Sequence, residues 1–361
     1  LTCAAKDKTA RSADDLIAGG AVTADRREEI EAVAGRYAVA VTPAMLDLID
    51  PTDENDPIAR QFVPSAAELD IRPEELADPI GDDAHAPVKG IVHRYPDRVL
   101  LKALHACPVY CRFCFRREMV GPGGAGLSGA ELNAAIAYVA ERPEVFEVIL
   151  TGGDPMMLSP RRLSDILDRL DAIPHLGVVR LHTRVPVVDP ERVGKALTDA
   201  LRGREKAIWV AVHANHPREI TDAAKQALRR LAEAGAALVS QTVLLRGVND
   251  DPAVLEALFR ELVKARVKPY YLHHCDLAPG TAQFRTGIED GWRLMKALRG
   301  RLSGLAQPTY VLDIPGGHGK VPVGPGYLEG SDAAGWTVEA PNGQLHSYPA
   351  APGSAAPEGS D

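Results

Sequence analysis

Three of the five cysteines in this 361-residue chain fall in one short run, Cys107-Pro108-Val109-Tyr110-Cys111-Arg112-Phe113-Cys114, a C-x3-C-x2-C spacing. Thiols crowded in this way do not suit a disulfide framework. Three thiolates do suit a four-iron cluster that leaves one iron without a protein ligand, the alternative being a structural zinc site still in need of a fourth. A second motif, Thr151-Gly152-Gly153-Asp154-Pro155, offers glycines that let the backbone approach a ligand and an acid that can receive an ammonium group; alone, it is also an ordinary turn after a strand. Lys320 closes the run Asp313-Ile314-Pro315-Gly316-Gly317-His318-Gly319-Lys320. A lysine on a glycine-rich turn beyond a strand can form a Schiff base with an aldehyde cofactor once desolvation lowers its pKa, although most such lysines are solvated. Arg94 and Arg98, around Tyr95 and just before the first apolar run, suit either a dianionic phosphate or a surface salt-bridge cluster. His213 and Gln241 end two later apolar runs, where a polar side chain serves a ligand or is satisfied within the core.

These residues need a scaffold. From residue 99, short apolar runs at 99–103, 148–151, 178–182, 208–213, 237–243, 269–273 and 310–313 alternate with segments of helical period such as 190–201 and 223–234. That alternation predicts a parallel sheet, and nearly all the motifs stand directly after the runs, where a β/α barrel, closed or partial, carries its chemistry. Residues 12–18, 24–36 and 43–49 read as short amphipathic helices, and the acidic, proline-punctuated segment 51–90 as loops and short helices wrapping over the body. A hairpin is expected from 336–339 and 344–348 around Asn342-Gly343, then a disordered tail over 350–361. The organisation expected is thus a helical and wrapping region at 1–90, the barrel at 91–330, and hairpin plus tail at 331–361.

With 45% hydrophobic residues the chain can bury one main core with attachments. Its net charge of -8 is spread over interleaved acids and bases, which argues against nucleic acid and for a small-molecule substrate. No run of about eighteen apolar residues occurs and the first residues are polar and mixed in charge, so neither membrane nor secretion is expected, and the cytoplasm is. Cys3 and Cys275 read as ordinary thiols.

Taken together, these motifs resemble the lysine 2,3-aminomutase family of radical S-adenosylmethionine enzymes. The resemblance runs from Tyr37-Ala38-Val39-Ala40-Val41-Thr42-Pro43-Ala44-Met45 and Asp56-Pro57-Ile58-Ala59-Arg60-Gln61-Phe62-Val63-Pro64 through Lys320. It implies a partial (β/α)6-type TIM barrel of the radical S-adenosylmethionine kind, with a helical N-terminal region and a short C-terminal extension. It also implies a [4Fe-4S] cluster on Cys107, Cys111 and Cys114, and an S-adenosylmethionine site that includes Gly152, Gly153, Asp154, His213 and Gln241. Pyridoxal 5'-phosphate would be joined to the catalytic Lys320, with Arg94, Tyr95 and Arg98 at the cofactor. The implied reaction begins when an external one-electron reductant drives cleavage of S-adenosylmethionine. The adenosyl radical then takes a hydrogen from carbon 3 of lysine, and the amino group shifts from carbon 2 to carbon 3.

Arg116 matches the position that pairs with the substrate carboxylate. Asp276 and Asp313 match the pair that receives the ε-ammonium of lysine, unless they are loop-capping aspartates. The same chemistry on another amino acid such as arginine or alanine stays open, as does lysine isomerisation for attachment to a translation elongation factor. A non-catalytic iron–sulfur carrier would need neither Lys320 nor the paired arginines. A homo-oligomer is expected. Two departures stand out: His318 replaces a glycine of typical members, and the C-terminal cysteine cluster of some aminomutases is absent, so no structural zinc is implied.

Overall fold

The computed structural model describes residues 8–350 apart from 122, 123, 125, 333 and 334. Cys3 and all but the first residue of the expected tail lie outside the described residues. The chain opens with short helices, α1 (Ala13–Ala18), α2 (Arg27–Ala34), α3 (Pro43–Leu46) and α4 (Pro57–Phe62). Helix α4 starts where Asp56 caps it, its Oδ1 accepting from the Ile58 and Ala59 N–H groups, with Pro57 in the first turn.

A nine-stranded sheet then runs in sequential order: β1 (Ile91–Tyr95), β2 (Arg98–Leu104), β3 (Glu147–Gly152), β4 (Val178–Thr183), β5 (Ala207–His213), β6 (Ala237–Val243), β7 (Lys268–His273), β8 (Thr309–Ile314) and β9 (Gly319–Pro322). Strands β2 to β8 are parallel, while β1 and β9 pair antiparallel at the two edges. The helices between parallel strands are α5 (Gly129–Ala140), α6 (Pro160–Asp171), α7 (Val185–Val188), α8 (Lys195–Leu201), α9 (Asp222–Glu233), α10 (Pro252–Lys264) and α11 (Ile288–Leu298). Counting one helical crossover after each of β2 to β7 gives six strand–helix units and a final parallel strand, the expected partial barrel. The sequence pattern explains the packing. Leu163, Ile166, Leu167 and Leu170 form one apolar stripe buried on α6, and Val148, Ile149 and Leu150 are consecutive buried residues of β3, as in a strand covered on both faces.

The segment read as one helix over 190–201 is broken. Pro190–Arg192 forms a single 3-10 turn, and Gly194, in extended conformation, separates it from α8. The proline starts the turn, and the Gly194 cap restarts the helix. The segment before β1 crosses the body: the Leu76 N–H donates to Leu277 O, the Gly280 N–H to Glu75 Oε2, and the Gly316 N–H to Pro79 O. After the barrel, β10 (Leu328–Asp332), β11 (Gly335–Glu339) and β12 (Leu345–Pro349) form a separate antiparallel sheet, with β11 and β12 joined through Asn342-Gly343. Among the described residues no helix is long and apolar enough to cross a membrane.

Candidate active site

A cavity of about 660 Å³ opens inside the barrel, a size suited to small molecules. Its wall includes Cys107, Cys111, Cys114, Gly152, Gly153, Asp154, His213 and Gln241 on one part, and Arg94, Tyr95, Arg98, Arg116, Asp276, Asp313 and Lys320 on another. Every residue assigned from the sequence to the cluster, the cofactors or the substrate therefore lines one space.

The cysteine loop follows β2 and is held from the N-terminal region. The Tyr110 N–H donates to Ala40 O at 3.1 Å and the Arg112 N–H to Gln61 O at 2.9 Å. The fully buried Arg112 guanidinium meets both oxygens of Glu68 at 3.0 Å, and Arg117 bonds the same carboxylate. Burial pushes the Cys107 thiol well up and Cys114 up to about 11, with the neighbouring thiols adding to the effect. Among the described residues no three His, Cys, Asp or Glu side chains converge on a point that would hold one metal ion. A cubane does not require that: each thiolate binds a different iron, so three thiols around one cavity fit a cluster better than a zinc ion.

The glycine motif works differently from the sequence reading. Gly152 has φ of 100°, and a Cβ there would come within 2.8 Å of Leu104 O; at Gly153 it would lie 2.4 Å from Ala106 O. The glycines are demanded by the backbone leading into the cysteine loop, to which the Gly153 and Asp154 N–H groups also donate. Asp154 is not a free ammonium acceptor. Its Oδ1 accepts from the Thr183 hydroxyl and the Met156 N–H, and its Oδ2 from the Arg184 and Val185 N–H groups. With both oxygens doubly used, this carboxylate fixes the turn that presents the glycines. His213 at the end of β5 is half-buried, its Nε2 is buried and unpartnered, and desolvation lowers its pKa well below the usual value. Gln241 lies two residues before the end of β6, its Nε2 3.5 Å from His182 Nε2. An unpartnered ring nitrogen beside the cysteine loop fits a bound polar ligand such as S-adenosylmethionine.

The basic cluster is also placed differently from its reading. Arg94 and Tyr95 are not ahead of the sheet but on its antiparallel edge strand β1, and Arg98 begins β2, its guanidinium 3.8 Å from the centre of the Tyr95 ring. Lys320 is likewise not on the turn but on β9, where the returning strand aims it back. The Tyr95 hydroxyl accepts from the Lys320 backbone N–H at 2.7 Å. Lys320 Nζ bonds Asp313 and lies 3.2 Å from His273 Nδ1. Beside them the rings of Tyr270 and Tyr271 lie 3.8 Å apart between centres and are tilted 34° to each other, an aromatic wall. A lysine amine, a pair of arginines and this wall in one cavity fit an aromatic aldehyde phosphate. His318 is exposed.

The two acids differ. Burial first, and Asp313 next, raise Asp276 to about 7. Burial also works to raise Asp313, but His273 and Lys320 hold it at about 2. Arg116 Nε bonds Asp82 Oδ2 at 2.9 Å, and the same buried carboxylate stands 3.6 Å from both Arg94 and Lys102. Asp82, Glu68 and Gln61 escaped the sequence reading because composition gave the wrapping segment no role. Their signal was the presence of polar residues among its rare apolar anchors. His273 and the tyrosine pair were hidden inside an apolar run.

The sequence profile described as the Radical SAM superfamily matches residues 102–259, and one described as Lysine-2,3-aminomutase matches residues 295–360. The L-lysine 2,3-aminomutase of Clostridium subterminale is 42% identical, over 85% of this chain and 74% of that one. A putative L-lysine 2,3-aminomutase of Aquifex aeolicus is 41% identical, over 90% of this chain and 88% of the relative. The glutamate 2,3-aminomutase of Clostridioides difficile is 40% identical, over 85% and 72%.

Proposed function

Since this chain belongs to the lysine 2,3-aminomutase family, a group of radical S-adenosylmethionine isomerases, we propose that it converts L-lysine to β-lysine with pyridoxal 5'-phosphate held on Lys320. The observation that carries the choice of substrate is that Asp276 and Asp313 face the same cavity as Lys320 and Arg116. An acid raised to about 7 by burial first and its neighbour carboxylate next gains a partner when an ammonium enters, whereas a third carboxylate would add repulsion. One relative at 40% identity is named a glutamate 2,3-aminomutase, and this acid pair is what favours lysine over glutamate here.

Together the cluster, S-adenosylmethionine and pyridoxal phosphate supply a one-electron route to a carbon radical and an aldehyde that keeps the migrating nitrogen tethered. The chain's own groups do the rest. Cys107, Cys111 and Cys114 would hold the cluster; Gly152, Gly153, His213 and Gln241 would border the S-adenosylmethionine, and Asp154 fixes their turn. Arg94 and Arg98 suit the phosphate, Tyr95 fixes the Lys320 backbone, and Arg116, steadied by Asp82, faces a substrate carboxylate. The wrapping segment crosses to the loops after β7 and β8 and lines the cavity with Ile80.

The test is anaerobic incubation of the cluster- and pyridoxal-loaded protein with reductant, S-adenosylmethionine and, in turn, lysine, glutamate, arginine and alanine. β-Lysine is the expected product. A β-amino acid formed from another substrate with lysine left unchanged would overturn the assignment.

A further inference from the structure

Arg184 follows β4 and is almost fully buried, yet its guanidinium is not spent on a surface partner. Nη2 donates to Glu219 Oε2 and to Gln61 Oε1, both at 2.6 Å, and the group lies 4.6 Å from the centre of the Phe62 ring and 5.5 Å from that of Phe113. Nη1 donates to the Cys111 sulfur at 2.8 Å. Glu219 is itself anchored: its Oε1 accepts from the Gln61 amide and from the Asn215 and His216 N–H groups. The fork is thus oriented by a buried carboxylate on one side and points its other nitrogen at a thiol on the cavity wall. This also gives a role to Gln61, in the motif Asp56 to Pro64 that composition left without one.

We propose that Arg184 is a positioning residue for electron uptake, its clamped guanidinium donating to the Cys111 sulfur and making the cluster easier to reduce. The inference rests on the reading that Cys107, Cys111 and Cys114 hold a four-iron cluster. Reduction adds one electron from an external one-electron donor to the cluster, with no bond made or broken, and so adds one negative charge over its irons and sulfurs. A hydrogen bond to a ligating sulfur withdraws density from it and favours that added charge. Arg184 and Glu219 cancel as net charges, but as an oriented pair they present their positive end to the cluster, in a buried site where such a field is weakly screened.

The test compares anaerobically reconstituted wild type, Arg184→Gln and Arg184→Lys, matched for iron and sulfide. Each is poised over a range of potentials and the reduced cluster read by electron paramagnetic resonance. Arg184→Gln is expected to shift the midpoint negative, with the oxidised-to-reduced ratio at a fixed potential rising about tenfold, equivalent to about 59 mV for one electron. Arg184→Lys should fall between the two. A wild-type midpoint in an Arg184→Gln protein holding four irons would overturn the inference. If that variant takes up fewer irons, wild type labelled with 15N-arginine decides: a hyperfine coupling from guanidinium nitrogen to the reduced cluster is expected, and its absence overturns the proposal. A wild-type protein that holds no cluster would instead refute the underlying reading of the cysteines.

Discussion

Lys320 Nζ rests on the Asp313 carboxylate and lies 3.2 Å from His273 Nδ1. The amine proposed to carry the cofactor thus occupies one of the two acids proposed to bind the substrate's far ammonium. Its engagement by an aldehyde would free Asp313, linking cofactor loading to opening of the substrate site. Borohydride reduction of the pyridoxal-loaded protein should leave the pyridoxyl group on the peptide containing Lys320. In Lys320→Ala the adduct should be lost. An adduct mapped to Lys102 or Lys268 would contradict the assignment.

Removing either acid should harm lysine turnover far more than it harms S-adenosylmethionine binding. Deleting one partner of a buried charge pair costs on the order of 2–5 kcal/mol, against less than about 1 for a surface pair. Asp276→Asn and Asp313→Asn should therefore lower kcat/KM for lysine at least tenfold with cluster and pyridoxal content intact. Wild-type kinetics in both would make these acids loop caps.

Lysine binding should release a proton near neutrality. Burial and Asp313 raise Asp276 to about 7, so at pH 7 about half the molecules carry it protonated, and an arriving ammonium favours the ionised form. Calorimetry in buffers of different ionisation heat should show about half a proton released per lysine at pH 7 and almost none by about pH 9. The Asp276→Asn protein should lack this release, and kcat/KM of the wild type should rise as pH passes upward through 7.

Asp82 should govern both acid stability and the grip on the substrate carboxylate. Burial works to raise its pKa, but Arg116 first, and then Lys102 and Arg94, hold it below the ordinary carboxylate value. A depressed folded pKa means that its stabilisation is complete above the unfolded value of about 3.9 and is lost as pH falls through the folded one. Asp82→Asn leaves three cations facing one another and should cost on the order of 3 kcal/mol. Denaturant unfolding followed from pH 7 to 3 should show a lower midpoint and a flatter acid limb in the variant. KM for lysine should rise because Arg116 has lost its anchor. An unchanged KM would mean that Arg116 does not depend on Asp82.

The local signals in the chain determined the barrel and the membership of its site. Apolar runs bounded by helical periods specify parallel strands, because a strand buried on both faces can tolerate few polar residues in its interior. The concentration of Cys107, Gly153, His213 and Asp313 at the ends of those runs already implied one cavity. Contacts distant in sequence were not legible there. Asp154 reads as a free acid, yet four donors from two separate stretches saturate it, a fact decided by how β4 and its following helix pack. Glycines that read as ligand-facing are set by Leu104 and Ala106 on the preceding strand's exit. Lys320 reads as a loop residue because its glycines suggest a turn, whereas antiparallel pairing with Asp313 makes it a strand residue. Asp82, Glu68 and Gln61 lie in a segment without period, and only its passage across the barrel mouth brings them to Arg116, Arg112 and Arg184. Periodicity records which face of an element is buried, and so the sequence determined the scaffold. The polar contacts that orient its chemistry join residues 34 to 123 positions apart, and only the tertiary structure decided them.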